Sequence, residues 1–397
     1  MKRLDDILRG QVEALGNAGT LKVLRHLTGP MDAEVPMEGH GNVLVLSSNN
    51  YLGLANHPEV IAAGIAGLKK YGAGTASVRF ICGTLDVHRE LEAKIAGFLG
   101  TEAALTYVSC WNANEGVIPT LALENSLILS DELNHASIID AGRLAGKTVT
   151  RQVYRHSDMA DLETKLRGCP ADVLNLVVTD GVFSMEGDLA RLPEIIPLAA
   201  KYHAAVILDD SHGIGVLGKT GRGTAEHFGL HGKVDVITGT LGKSLGGAAG
   251  GFVAASRPVV DFLVQRSRPQ LFSNALPATV AASALAAVGV LEREPERVRR
   301  LHESVCYFRD ALKRMGYTPL EGESAIIPII VGETATAIRV SDQLLKKGVF
   351  VTGFGFPVVP EGKARLRVQI SAAHERRHLD RALAAFAEVR NDACKIS

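Results

Sequence analysis

Cysteine is scarce in this chain, with five among 397 residues and no pair at Cys-x-x-Cys spacing. That argues against a disulfide scaffold and against a cysteine-built zinc cluster, and it points to a reducing, cytoplasmic setting. Net charge is missing too. Lys plus Arg and Asp plus Glu balance at 43 each, so no global field draws the chain to nucleic acid or to an anionic membrane. The longest apolar run, PATVAASALAAVGVL, is too short and too rich in alanine to span a bilayer, and it predicts a buried helix. MKRLDDILRGQVEAL sets Leu4, Ile7, Leu8, Val12 and Leu15 at helical spacing between charges, which predicts an amphipathic helix rather than a secretory signal. Internal repeats, low-complexity tracts and flexible linkers are also lacking.

What is present suits a globular protein. Hydrophobic residues make up 46% against 22% charged, over a length sufficient for two lobes. The β-branched runs LILSDE, LNLVVTDG, AAVILDDSH and VDVITGT lack alternation, so they read as strands buried on both faces of a largely parallel sheet. Between them DMADLETKLRG and LPEIIPLAAKY carry helical periodicity, and the pattern is α/β. After a helix starting near Pro277, AIIPIIVG, VFVTGFGFPVV and ARLRVQIS alternate with helices in a smaller α+β lobe. The expected organisation is an N-terminal helix and strand segment over 1–50, a large domain over 51–285 and a small C-terminal domain over 286–397.

Motifs that mimic known sites fail on context. TGTLGKSLGG (238–247) holds a Gly-Lys-Ser, but a phosphate-binding loop needs a glycine where Ile237 stands, inside the strand. GIGVLG (213–218) matches Gly-x-Gly-x-x-Gly, yet KTGRGTAEH follows instead of an apolar helix, so it reads as a loop with tight turns. HERRH (374–378) matches a zinc helix, but its arginines would place positive charge beside a dication and no third ligand is nearby. No metal is expected there, and the histidines are expected to face solvent or lie near a helix cap.

A different constellation survives. The strands end in Asp131, Asn134 and His135; in Asp180 and Ser184; in Asp209, Asp210 and His212; and in Thr240 and Lys243, while TYVSCWNANEG gives a polar turn before a helix. Parallel sheets place ligands at this edge. Alone, Asp209 could cap a helix and His135 could be a satisfied loop histidine. Together they suit pyridoxal phosphate. A lysine takes the aldehyde, an acid keeps the ring nitrogen protonated, histidines meet the ring and its phenolic oxygen, and a helix N-terminus receives the phosphate. Gly246, Gly247, Gly250 and Gly251 let backbone pass close to the lysine.

From about residue 45 to 390 the chain resembles the α-oxoamine synthases, through SNNYLGLANHP, SVRFICGT, LNHASIID, VTDGVFSMEGD, DDSHGIGVLG, TGTLGKSLGG, RSRPQLFSN and ARLRVQISAAH. The resemblance implies a fold-type-I pyridoxal phosphate transferase, similar to aspartate aminotransferase, working as a homodimer. It implies that Lys243 bonds the cofactor and is the main acid–base group, Asp209 pairs with the ring nitrogen and His135 stacks on the ring. His212 and Ser184 would meet the phenolic oxygen. Backbone at Cys110 and Trp111, with the Thr240 hydroxyl, would hold the phosphate, and Ser273 would reach the partner subunit's cofactor. Asn49 and Arg367 would bind the amino-acid carboxylate. SVRFICGT and RSRPQLFSN resemble most the members that condense glycine with acetyl-CoA; the alternatives are a member using another amino acid or a longer acyl-CoA, and a pyridoxal phosphate aldolase. Trp111, Asn112 and GFGFPVVP depart from the closest pattern and bear on the acyl pocket.

Overall fold

Each of the apolar runs forms a strand, Leu127–Asp131, Asn175–Asp180, Ala204–Asp209 and Val236–Thr240. The computed structural model describes residues 2–168, 172–356 and 358–393. These strands are parallel neighbours in a seven-stranded sheet ordered Ala103–Tyr107, Gly251–Ala255, Val236–Thr240, Ala204–Asp209, Asn175–Asp180, Leu127–Asp131, Thr150–Tyr154. Gly251–Ala255 runs antiparallel to both neighbours. Leu105, Ile128, Val178, Ile207 and Val253 pack with Val117, Ile118 and Ile138 from two covering helices, and the intervening Leu129, Val177, Leu208 and Ala254 are buried as well, so the strands do not alternate. Parallel direction brings Asp131, Asp180, Asp209 and Thr240 to one sheet edge.

The chain folds into two compact units. The larger comprises Asn49–Ser184 and Asp188–His302; the smaller gathers the residues up to Ser48, Met185–Gly187 and those from Glu303 onward. In the smaller unit, Ile326–Gly332, Ala364–Gln369 and Thr352–Phe354 form one antiparallel sheet. VFVTGFGFPVV is therefore not one strand. Its first part, Val349–Phe350, pairs with Gly41–Val45 in a separate sheet that also holds Glu34–Met37. Pro357 of that segment lies outside the described residues. The amphipathic helix forms over Lys2–Asn17, with Leu4, Ile7, Leu8, Val12 and Leu15 all exposed.

The decoys have structural explanations. GIGVLG folds as turns around the buried carboxylate of Asp210, which accepts the Thr224 N–H at 2.8 Å and its hydroxyl at 2.5 Å. A Cβ on Gly213 would lie 2.0 Å from that carboxylate and one on Gly223 1.9 Å, so the acid dictates the glycines. Burial pushes Asp210 up to about 6 against the two Thr224 bonds. The HERRH histidines do not face solvent: both are buried. His374 Nδ1 accepts the Ser371 N–H (3.0 Å), its Nε2 donates to the Val45 carbonyl (3.0 Å), and His378 Nδ1 accepts the Glu375 N–H (3.1 Å). His378 thereby serves the start of the helix Arg376–Ala393, and His374 lies just before it. Burial pushes His374 down to about 4, so it is neutral.

A further histidine ties the sheet edge together. His156 sits between Asp131 and Asp188, 2.9 Å from each, with Phe183 edge-on at 4.4 Å. Asp188 and Phe183 lie on the two arms of a hairpin closed by the Val182–Leu189 pairing, and the hairpin carries Ser184. Burial opposes the imidazolium charge, but the two carboxylates outweigh it and push His156 up to about 10. This pKa is above the unfolded value of about 6.5. The stabilisation is therefore complete below about pH 6.5 and is lost as pH rises through about 10. His156→Gln should cost roughly 3 kcal/mol at pH 6 in urea unfolding. The gap from the parent protein should close toward pH 10, and a pH-independent gap would refute the ion-pair account.

Candidate active site

Asp209 is buried, 4% exposed, at the end of Ala204–Asp209. A buried carboxylate needs donors. Oδ2 accepts Asn114 Nδ2 at 2.6 Å, Oδ1 accepts the Ser211 N–H at 3.0 Å, and the Cys110 thiol lies 3.6 Å from Oδ2. Cys110 and Asn114 come from one helix, Cys110–Leu121, four residues apart and so on one face. The polar turn expected before this helix is shorter than its sequence suggests: Ser109 is the cap, accepting the Asn112 N–H at 3.1 Å, and Cys110 and Trp111 already belong to the first turn.

The amides of a first helical turn have no carbonyl in their own helix to bond. Here they are seated against glycine. Ser109 pairs with Gly250, and a Cβ on Gly251 would lie 2.3 Å from the Cys110 nitrogen. Gly251 is the strand partner of Thr240, whose hydroxyl donates to the Gly250 carbonyl at 3.2 Å and accepts the Gly242 N–H at 3.0 Å. The helix start and the Thr240 hydroxyl thus converge around the glycines, an arrangement that suits an anion.

Lys243 lies two residues beyond Leu241 in the turn after Val236–Thr240, half-buried. Its charge acts on His135, Cys110 and Asp180, so it lies within electrostatic reach of all three. His135 caps the helix Ala136–Leu144: Nδ1 accepts the Ser137 N–H at 3.2 Å and lies 2.8 Å from the Ser137 hydroxyl. The His135 N–H donates to Asp180 at 2.7 Å. Its ring meets Trp111 edge-on at 5.9 Å, and the indole N–H donates to Glu115 at 2.7 Å. Desolvation lowers the His135 pKa although the residue is exposed; Asp209 opposes this and Lys243 adds to it. Burial, then Asp209, raise the Cys110 thiol and the Asp180 carboxyl well above their ordinary ranges.

His212 is buried, with Nδ1 2.8 Å from the Tyr51 hydroxyl, which lies 3.4 Å from Asn49 Oδ1. Ser184 is half-buried in its hairpin. Ser273 follows the short helix Arg268–Phe272 and lines a small polar pocket with Arg79, Asn112 and Gln270. Arg367 belongs to the smaller unit, buried in Ala364–Gln369, with its guanidinium 4.8 Å from the Phe354 ring centre and bonded to Gln369 at 3.2 Å. The structure therefore groups Asp209, Cys110, His135 and Lys243, and joins His212 to Asn49. Asn114 and Tyr51 are additions that sequence reading did not single out. The signal for Asn114 was its position one turn after Cys110; Tyr51 stands openly in SNNYLGL.

A family model for aminotransferase class I and II matches residues 41–386. The chain belongs to that family. Human mitochondrial 2-amino-3-ketobutyrate coenzyme A ligase is 47% identical over 390 residues, 98% of this chain and 93% of that protein. The 8-amino-7-oxononanoate synthase of Symbiobacterium thermophilum is 46% identical, covering 97% of this chain and 98% of its own. A solved S. paucimobilis serine palmitoyltransferase with a bound PLP–myriocin aldimine superposes with a TM-score of 0.91 at 32% identity, over 98% of each chain. The fold is that of the fold-type-I pyridoxal phosphate transferases, and the α-oxoamine synthase resemblance extends over nearly the whole chain.

Gly251→Ala is a direct test of the glycine-seated helix start. The added methyl meets backbone, which cannot swing aside, so unfolding should be easier by about 1–3 kcal/mol. Binding of pyridoxal phosphate, followed by absorbance titration, should weaken by about tenfold or more because the helix start carries the anion-facing amides. Unchanged binding would separate those amides from the site.

Proposed function

We propose that this protein is a pyridoxal phosphate-dependent glycine C-acetyltransferase. It joins glycine to acetyl-CoA, giving 2-amino-3-ketobutyrate and free CoA, or runs the reverse cleavage in threonine breakdown. The observation that carries the reading is the grouping of Lys243 with buried Asp209 and His135 beside a glycine-seated helix start. The chain bearing it is 47% identical to a 2-amino-3-ketobutyrate coenzyme A ligase.

The residues fit the cofactor. An amine, a buried carboxylate, an exposed histidine and an anion-binding helix start match an aldehyde, a pyridine nitrogen, an aromatic face and a phosphate. When bound, the cofactor supplies a protonated ring able to take up the electron pair left as a Cα proton departs. In this reading Lys243 would hold the cofactor through its aldehyde and would serve as the acid–base group for the Cα proton. Asp209 holds a proton at the ring nitrogen. His135 would meet the ring, and His212 and Ser184 would meet the phenolic oxygen. The amides of Cys110 and Trp111 and the Thr240 hydroxyl hold the phosphate. Asn49 and Arg367 bind the glycine carboxylate, Arg367 through its planar fork. The condensation would form a bond from the glycine Cα to the acetyl carbonyl carbon and break the thioester carbon–sulfur bond, CoA leaving as the thiol with a proton equivalent to the one lost from Cα.

The site is proposed to be shared in a homodimer, with Ser273 reaching the phosphate of the partner subunit's cofactor. Phe80, Ile81 and Phe272 are 61%, 68% and 70% exposed on segments adjoining Ser273 through the Val78–Asn274 pairing, an apolar surface suited to a second copy. Cys82, Cys110 and Cys306 are free thiols, which suits a reducing cytoplasm. Among the described residues no helix is long and apolar enough to cross a membrane. The 46% identity to an 8-amino-7-oxononanoate synthase favours one second reading, a member using another amino acid or a longer acyl-CoA.

Borohydride reduction of the protein with pyridoxal phosphate should fix the cofactor's mass on the peptide containing Lys243. Label on another lysine would overturn the site. Release of free CoA thiol, measured across amino acids and acyl-CoAs, should be fastest for glycine with acetyl-CoA. Alanine should be detectable but poor, because one methyl in a tight pocket is worth roughly 1–3 kcal/mol. Faster turnover of alanine or of octanoyl-CoA would select the second reading.

A further inference from the structure

The residue that organises this site is one the reaction does not touch. Asn114 is 1% exposed, on the helix Cys110–Leu121. Its side-chain nitrogen lies 2.6 Å from Asp209 Oδ2 and 2.9 Å from the Ser137 hydroxyl, and its oxygen accepts the Thr238 hydroxyl at 2.8 Å. Both N–H groups and the carbonyl are used, so the amide has one workable orientation; a flip would set its oxygen against the Asp209 carboxylate. Direction then passes outward. Ser137 accepts from Asn114, so its own proton is directed to His135 Nδ1, 2.8 Å away. That nitrogen also accepts the Ser137 N–H at 3.2 Å. An Nδ1 that only accepts leaves the proton on Nε2.

We propose that Asn114 is the positioning residue that fixes both the orientation of the Asp209 carboxylate and, through Ser137, the Nε2–H neutral tautomer of His135. One amide thereby couples the acid under the ring nitrogen to the histidine over the ring face. The inference rests on the proposed function. Its effect belongs to the electron-sink step, since Asn114 touches neither the glycine carboxylate groups Asn49 and Arg367 nor the thioester.

The test uses the holoenzyme loaded with pyridoxal phosphate and the variants Asn114→Ala and Asn114→Asp. Losing a hydrogen bond to a charged group should lower kcat by about ten- to a hundredfold while KM for glycine stays within about threefold. The visible absorption of the bound cofactor should change its pH dependence in Asn114→Ala. Asn114→Asp is close to isosteric and distinguishes positioning from packing. Its new carboxyl faces Asp209, with Cys110, His135, Lys243 and Asp180 the other titratable groups around it. A proton shared by the acid pair restores the donor to Asp209 but not the one to Ser137, so activity should recover in part as pH falls and be lost as it rises. A pH-independent loss in Asn114→Asp, or parent-like kcat and spectra in both variants, would overturn the proposal. If Asn114→Ala does not fold, the pH profile of Asn114→Asp decides alone. A parent protein that binds no pyridoxal phosphate would instead refute the functional reading, and this inference with it.

Discussion

A carboxylate taken out of water at the end of a strand constrains most of what surrounds it. Asp209 needs donors, and the closest comes from Asn114, 95 residues away in sequence. Asn114 can reach it only if the helix Cys110–Leu121 starts close to the strand ends, which requires Ser109 as cap and a strand without a side chain at Gly251. The same close approach brings the first-turn amides beside Thr240. The acid and the anion-facing helix start are therefore consequences of one packing arrangement, and neither can be moved without the other.

The consecutive acids Asp209 and Asp210 show how local partners divide labour. Asp209 is met by a side-chain amide and a thiol on the site side. Asp210 is enclosed by Gly181, Gly213 and Gly223 and bonded to Thr224, and its burial pushes its pKa up. The histidines diverge in the same way. His374 is kept neutral by burial and spent on backbone bonds, whereas His156 is charged because two carboxylates hold it. His135 lies between these extremes, with Asp209 and Lys243 pulling in opposite directions on a ring that desolvation already disfavours as a cation. Residue type alone carries none of this; the partners do.

That explains which parts were readable in the sequence. Strands buried on both faces announce themselves by missing alternation, and parallel order then puts their last residues at one edge, so Asp209, Asp180 and Thr240 could be named from the sequence. Helices over Met159–Arg167 and Leu192–Lys201 followed from periodicity. Asn114 and Tyr51 were missed because their partners are distant in sequence and an asparagine or a tyrosine has many ordinary uses. VFVTGFGFPVV read as a single segment of the smaller lobe, because apolar β-branched runs do not reveal where a chain changes sheets. HERRH read as solvent-facing or near a helix cap; the second holds, and burial went unread because its charges hide the fact that histidine can satisfy backbone groups inside a core. That the first 48 residues join the smaller unit depends on long-range pairing between Gly41–Val45 and Val349–Phe350, which no local pattern encodes.

The hairpin bearing Ser184 adds a mechanical argument to the chemical one. Its arms are held by His156 through Asp188 and Phe183, while its next residues, Met185–Gly187, belong to the smaller unit. There Arg365 donates to the Met185 carbonyl at 2.8 Å and pairs with Glu186 at 3.0 Å, and Ser324 holds the Gly187 carbonyl at 2.7 Å. Arg365 and Arg367 are two apart on one strand and so share a face. The strand that presents the proposed carboxylate-binding arginine thus also grips the residues bonded covalently to Ser184.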